Sequence, residues 1–149
     1  MQRNRNFSHL NSKTMNMKKN LTLFMSGLFA IGLLAFVPKN SFQEPWKVPD
    51  AAKNKANPVK SDAASLASGK ALYNQHCKSC HGTKGKGDGP KASTLDTDCG
   101  DFTKASFKSQ TDGALYYKTA EGRKDMPAYK KKIPDANDIW AIVNYMRTF

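Results

Sequence analysis

Cys77-Lys78-Ser79-Cys80-His81 is the stretch on which the reading of this chain turns. It follows directly on Ser65, Leu66, Gly69, Leu72 and Tyr73, which fall at helical spacing and bring a helix into the motif. Cysteines three apart on a helical turn reach the two vinyl groups on one edge of a haem, and the next residue aims its imidazole at the iron. Five residues thereby deliver two thioethers and one axial ligand, and the motif reads as the attachment site of one covalent haem c. Covalent attachment also lets a domain of roughly ninety residues hold a large flat cofactor without enclosing it completely. A zinc site would recruit Cys77, Cys80, His81 and Cys99, but adjacent Cys80 and His81 are an awkward pair for one tetrahedral ion, and no second C-x-x-C or H-x₃-H follows. A thioredoxin-like dithiol needs a βαβ setting that the flanking sequence lacks. A Cys77–Cys80 disulfide leaves His81 unexplained.

With His81 on one side of the iron, the chain offers few groups for the other. After His81 it contains no further His and two Met, Met126 and Met146. Met146 shares helical spacing with Ile139, Ile142, Val143 and Phe149 and reads as core. Met126 sits in the polar loop Gly122-Arg123-Lys124-Asp125-Met126-Pro127, where a pinned ligand fits better than a buried hydrophobe. A thioether is a soft ligand that favours Fe(II), so His81 with Met126 implies a raised potential and a closed iron that binds no substrate. His76, beside Cys77, reads as facing solvent or a propionate rather than as a ligand.

Across roughly Ala64 to Phe149 the chain resembles the small monohaem c-type cytochromes of class I. The resemblance is carried by Cys77-x-x-Cys80-His81, by Gly69 and Tyr73, and by Gly82-Thr83-Lys84-Gly85-Lys86-Gly87-Asp88-Gly89-Pro90. Met126-Pro127 and the final run Asp138 to Tyr145 complete it. It implies that the Pro90 carbonyl accepts the N–H of His81, fixing the tautomer and strengthening the donor. It also implies a close crossing of first and last helices, with Gly69 against Ile142 and Tyr145. Cys99 is outside the family pattern and is left unpaired once Cys77 and Cys80 carry thioethers; it reads as a partly buried inert thiol.

The expected fold is all-α: three to four helices around one haem, at about Ala63 to Cys77, Asp112 to Ala120 and Asp135 to Arg147, joined by a long loop and the Met126 loop. Tyr116, Tyr117 and Trp140 are candidates for packing on the cofactor or its propionates. Upstream, Lys18 and Lys19 precede an uncharged apolar run, Leu21 to Val37, which reads as an export signal or an uncleaved anchor across residues 1–37. Residues 38–62 hold four of the seven prolines and read as a flexible linker, with Trp46 a lone exposed aromatic, leaving 63–149 as the haem-binding domain.

The chain of 149 residues carries +12, of which +7 lies in residues 1–59 and +5 in residues 60–149. Signal topology accounts for much of the first share. In the second, Arg123, Lys124, Lys130, Lys131 and Lys132 surround the proposed Met126 ligand with Asp125 as the single acid in that stretch. Such a rim suits weak, salt-sensitive docking to redox proteins with acidic surfaces. Nucleic acid is excluded as a partner by export and by the lack of a stacking platform or groove-reading helix. The sequence thus describes an electron carrier of the periplasmic side, itself no enzyme, working between a respiratory donor and a terminal oxidase or reductase, with a membrane tether through residues 21–37 if the signal is retained. Two alternatives remain: a haem-bearing subunit of a larger dehydrogenase or reductase complex, and a gas sensor with an open sixth site.

Overall fold

A computed structural model describes residues 44–149. The signal or anchor read at 1–37, and the first residues of the linker, lie outside the described residues. Six helices follow one another: α1 Asp50–Lys53, α2 Ala63–His76, α3 Lys78–His81, α4 Ala105–Lys108, α5 Asp112–Glu121 and α6 Ala136–Met146, with a 3₁₀ turn at Ala92–Thr94. Among the described residues the extended pairing is limited to one isolated bridge, Arg123 with Met126. The all-helical expectation is met, and the three long helices begin and end within a residue of where the pattern placed them.

Side chains set the helix starts. Asp62 accepts the Ser65 N–H at 3.0 Å while Ser65 Oγ accepts the Asp62 N–H at 3.2 Å, a reciprocal cap on α2. Thr111 and Asp135 cap α5 and α6 in the same sense, accepting from Ala114 and Asn137.

The core is built by α6, which buries Ile139, Trp140, Ala141, Ile142, Val143, Asn144 and Met146. Tyr73, Leu115, Phe102, Phe107 and Ile133 close around it. Helices α2 and α6 cross at Gly69, where a Cβ would stand 2.1 Å from the Ala141 carbonyl oxygen and 3.0 Å from Tyr145 Cβ. The crossing is therefore with the Ala141 backbone and Tyr145; Ile142, which the resemblance placed at this contact, is fully buried in the core instead. Glycine is required because two backbones touch there.

Residues 44–62, read from the sequence as part of a flexible linker, lie against the domain. Ala52, Lys53 and Lys55 carbonyls approach Gly113 so closely that a Cβ there would meet them at 2.1–2.9 Å. Thr111 Oγ1 donates to the Lys53 carbonyl at 2.7 Å. Asn57 Nδ2 donates to Asn144 Oδ1 at 2.8 Å, and Asn144 Nδ2 donates to the Val59 carbonyl at 3.1 Å, satisfying the one amide that α6 buries. Lys55 lies over the rings of Tyr116 and Trp140, which stack on each other at 4.1 Å.

Replacing Gly69 by Ala drives a methyl into the Ala141 carbonyl. We expect a loss of about 2–3 kcal/mol, read as a fall of about 10 °C or more in melting temperature. An unchanged melting temperature would show that the two helices have room to part.

Candidate functional site

The motif lies where α2 gives way to α3. The Cys77 N–H donates to the Tyr73 carbonyl at 2.8 Å, and the Cys80 and His81 N–H groups donate to the Cys77 carbonyl at 3.1 and 2.9 Å. Cys77, Cys80 and His81 thus share a single tight helical turn, as the spacing required. Tyr73, wholly buried, donates its hydroxyl to the Gly82 carbonyl at 2.8 Å and so fixes the end of that turn.

The glycine-rich stretch after His81 folds back along the motif. Gly87 and Gly89 N–H groups donate to the His81 and Cys80 carbonyls at 3.0 and 3.1 Å, and Lys91 N–H donates to Ser79 at 2.9 Å. Gly89 tolerates no Cβ here, since one would meet the Ser79 and Cys80 carbonyls at 2.5–2.7 Å. Phe102 N–H then donates to the Gly85 carbonyl at 2.7 Å. This brings the Phe102 ring against His81, with centroids 4.7 Å apart, and Phe107 stacks behind Phe102 at 4.4 Å.

Burial pushes the His81 imidazole below the ordinary histidine range, against a backbone hydrogen bond at Cys99 that acts the other way. The neutral ring is the form that ligates a metal. Its Nδ1 is buried and has no hydrogen-bond partner, so the Pro90 carbonyl does not accept from it in this structure; Pro90 itself is exposed. The loop's backbone donors bond the carbonyls of Ser79, Cys80 and His81, which holds the loop to the motif's main chain rather than to the ring.

Burial raises the Cys77 thiol to about 12, with Cys80 adding to the shift. Among the described residues no three His, Cys, Asp or Glu side chains converge as metal ligands, and Cys77, Cys80 and Cys99 are all free thiols. The donor set fits a haem: two free thiols and a buried histidine within one helical turn, and an aromatic wall against the imidazole. Cys77 and Cys80 would hold it covalently and His81 would ligate its iron.

Met126, half-buried, lies in a loop pinned from several directions. Arg123 and Met126 exchange both backbone hydrogen bonds, at 2.8 and 2.9 Å. Gly122, at φ 66°, packs against the backbone of residues 126–128: a Cβ would lie 2.5 Å from the Met126 carbonyl oxygen, the Pro127 carbonyl carbon and the Ala128 nitrogen. Asp125 Oδ2 accepts from the Thr97 N–H at 3.0 Å and from its hydroxyl at 2.7 Å, tying the loop to the segment that carries Cys99, and the Thr97 hydroxyl holds the Asp125 carboxyl below the usual range. Three residues past Met126, Tyr129 donates its hydroxyl to the His76 carbonyl at 2.8 Å. That bond ties the stretch after Met126 to the residue before the motif, and burial raises the Tyr129 phenol to about 12, with the fields of Cys77 and Cys80 adding to the shift. Burial also raises the Cys99 thiol, with Cys80, Asp98 and Asp125 contributing.

Sequence reasoning missed Phe102, Phe107 and Tyr129; a run of aromatics spaced along loops carries no periodic signal. Tyr116 and Trp140 are occupied with each other and with Lys55. Of the basic rim, Lys130 is paired with Glu121 at 2.6 Å, Lys132 lies over the Tyr129 ring, and Arg123 is engaged by the N-terminal segment; Lys124 and Lys131 are exposed.

Residues 64–146 match the family model described as cytochrome c oxidase, cbb3-type, subunit III. No curated protein matches the chain significantly. Among solved structures, a chain of the Kuenenia stuttgartiensis reducing HAO-like protein complex is similar, with a TM-score of 0.57 at 24% identity. The likeness covers 72% of this chain and 51% of that one, so this chain spans about half its length, and at that identity it speaks for the fold alone.

Because Gly122 combines a positive φ with three backbone neighbours at 2.5 Å, Gly122→Ala should displace the backbone of residues 126–128. We expect a stability loss of about 2–4 kcal/mol in chemical denaturation. A denaturation midpoint equal to the wild type would mean that the loop is not pinned as described.

Proposed function

The chain belongs to the cytochrome c oxidase, cbb3-type, subunit III family, and from that premise we propose that it is a one-electron carrier with a single haem c ligated by His81 and Met126. Membership of this family implies a cytochrome c domain, a covalent haem c and haem-based electron transfer. When bound, the haem supplies a one-electron couple at its iron. The chain's own work is to anchor, orient and keep still. Cys77 and Cys80 anchor, the neutral His81 ring is backed by Phe102 and Phe107, and the Met126 loop is tied down by Asp125, Gly122 and Arg123. A coordination shell that barely changes between oxidation states keeps reorganisation small, which is what fast outer-sphere transfer needs. The observation that carries this reading is that Cys77, Cys80 and His81 share one tight helical turn, with the Phe102 ring set against the imidazole.

We place the domain at 63–149 and its working site on the periplasmic side, behind a signal or anchor at 1–37. Among the described residues no helix is long and apolar enough to cross a membrane. Exposed Lys124 and Lys131, with Lys132 beside Tyr129, are the basic groups that would steer an acidic oxidase, reductase or dehydrogenase partner. A second reading, a resident electron-transfer subunit of a larger complex, is favoured by the family's description as an oxidase subunit. Purification separates the two: a free monomer that turns over with an added oxidase supports the carrier, and obligatory co-purification with one enzyme supports the subunit.

The oxidised protein should show the weak long-wavelength band of a methionine-sulfur-to-iron bond, and Met126→Ala should abolish it while the haem stays attached. Ready carbon monoxide binding by the reduced wild type would instead indicate an open sixth site. Replacing Lys124, Lys131 and Lys132 by Gln should slow association with an acidic partner most at low salt; a rate indifferent to salt would reject steering.

A further inference from the structure

The N-terminal segment reaches the Met126 loop. Arg123 Nη1 donates to the Glu44 carbonyl at 2.8 Å, and its guanidinium lies over the Trp46 ring at 4.6 Å, with the Lys118 ammonium over the same ring at 5.6 Å. Trp46 is half-buried by these contacts. Two cations on one indole repel each other, and the field of Arg123 adds to burial in lowering the Lys118 ammonium below its ordinary range. The arrangement persists because the ring faces attract both and because Lys118 also donates to the Gln110 side chain. The segment is anchored further along by the buried Val48, by the backbone approach of residues 52–55 to Gly113 and by the Thr111 hydroxyl on Lys53.

Arg123 is the residue whose backbone is locked to that of Met126 by two hydrogen bonds. Any restraint on the Arg123 side chain is therefore a restraint on the origin of the Met126 side chain, one short turn away. Asp125 and Thr97 hold the opposite side of the same turn.

We propose that Trp46 and Arg123 are positioning residues for Met126: residues 44–48 form a strap that clamps the start of the ligand loop and thereby sets how tightly the thioether stays on the iron. The inference rests on Met126 being the sixth ligand. It gives the stretch next to the exported leader a function in the redox site rather than that of a passive spacer.

The test uses the full oxidised haem protein and titrates imidazole, which competes with Met126 for the iron, following the sulfur-to-iron band. Trp46→Ala and Arg123→Gln should each lower the imidazole concentration for half-displacement by about threefold to tenfold. Trp46→Phe, which keeps an aromatic face under the guanidinium, should restore most of the wild-type value. Asp112→Asn breaks the ion pair of Arg147 with Asp112, at 2.8 Å, away from the Met126 loop. It should lower the melting temperature without changing the displacement. Unchanged displacement in Trp46→Ala and Arg123→Gln overturns the proposal, as does an equal shift in Asp112→Asn, which would show general loosening. A wild type that lacks the band and takes up imidazole without competition overturns the ligand assignment itself, and the strap's role falls with it.

Discussion

Two helix backbones touch at Gly69 and Ala141, and the rest of the molecule is arranged around that contact. With no Cβ between them, α2 and α6 approach closely enough that Tyr73, one turn further along α2, is wholly buried and its hydroxyl meets the Gly82 carbonyl. That hydrogen bond spans the motif turn, so the crossing fixes where Cys77, Cys80 and His81 stand. Tyr145, near the end of α6, and Phe149, three residues beyond it, pack on Tyr73 with centroids 5.4 and 5.3 Å away and complete the support. The helix that leads into the motif turn is held by the helix that supplies the core.

From that turn outward the chain repeatedly trades side chains for backbone contact. Gly89 lies against the motif carbonyls, Gly87 against Gly100, Gly113 against residues 52–55 and Gly122 against the backbone of residues 126–128. Each allows a loop to approach another backbone at a distance that any side chain would block. In a domain this small much of the interior must be given over to the cofactor, and close loop packing replaces the apolar layers that a larger protein would use. The Met126 loop shows the outcome: short, polar, and held by hydrogen bonds on both flanks.

Much of this was legible in the sequence. C-x-x-C-H constrains its own geometry, since five consecutive residues must share a turn, and the apolar spacing of Ile139, Ile142, Val143 and Met146 leaves α6 little choice but to be the core helix. The reading of Met146 as core holds as well, since α6 buries it. The strap was not legible. Glu44, Pro45 and Lys47 flank Trp46 in a stretch with the composition of a linker, and the strap's contacts at the Met126 loop are made by one carbonyl oxygen and one indole face, which leave no periodic trace. The Pro90 contact that the resemblance implied is not made in this structure: His81 Nδ1 has no hydrogen-bond partner, and the loop's backbone bonds go to the motif's carbonyls. Phe102 and Phe107 escaped notice because they sit on a loop and a single helical turn, where spacing does not report burial.

The central claim is that Cys77 and Cys80 carry a porphyrin. Intact mass under denaturing conditions, on protein made in cells with working haem-attachment machinery, tests it most directly. The account predicts one haem retained on the unfolded chain by two thioether bonds. A polypeptide of bare mass with Cys77 and Cys80 free or joined to each other would contradict it.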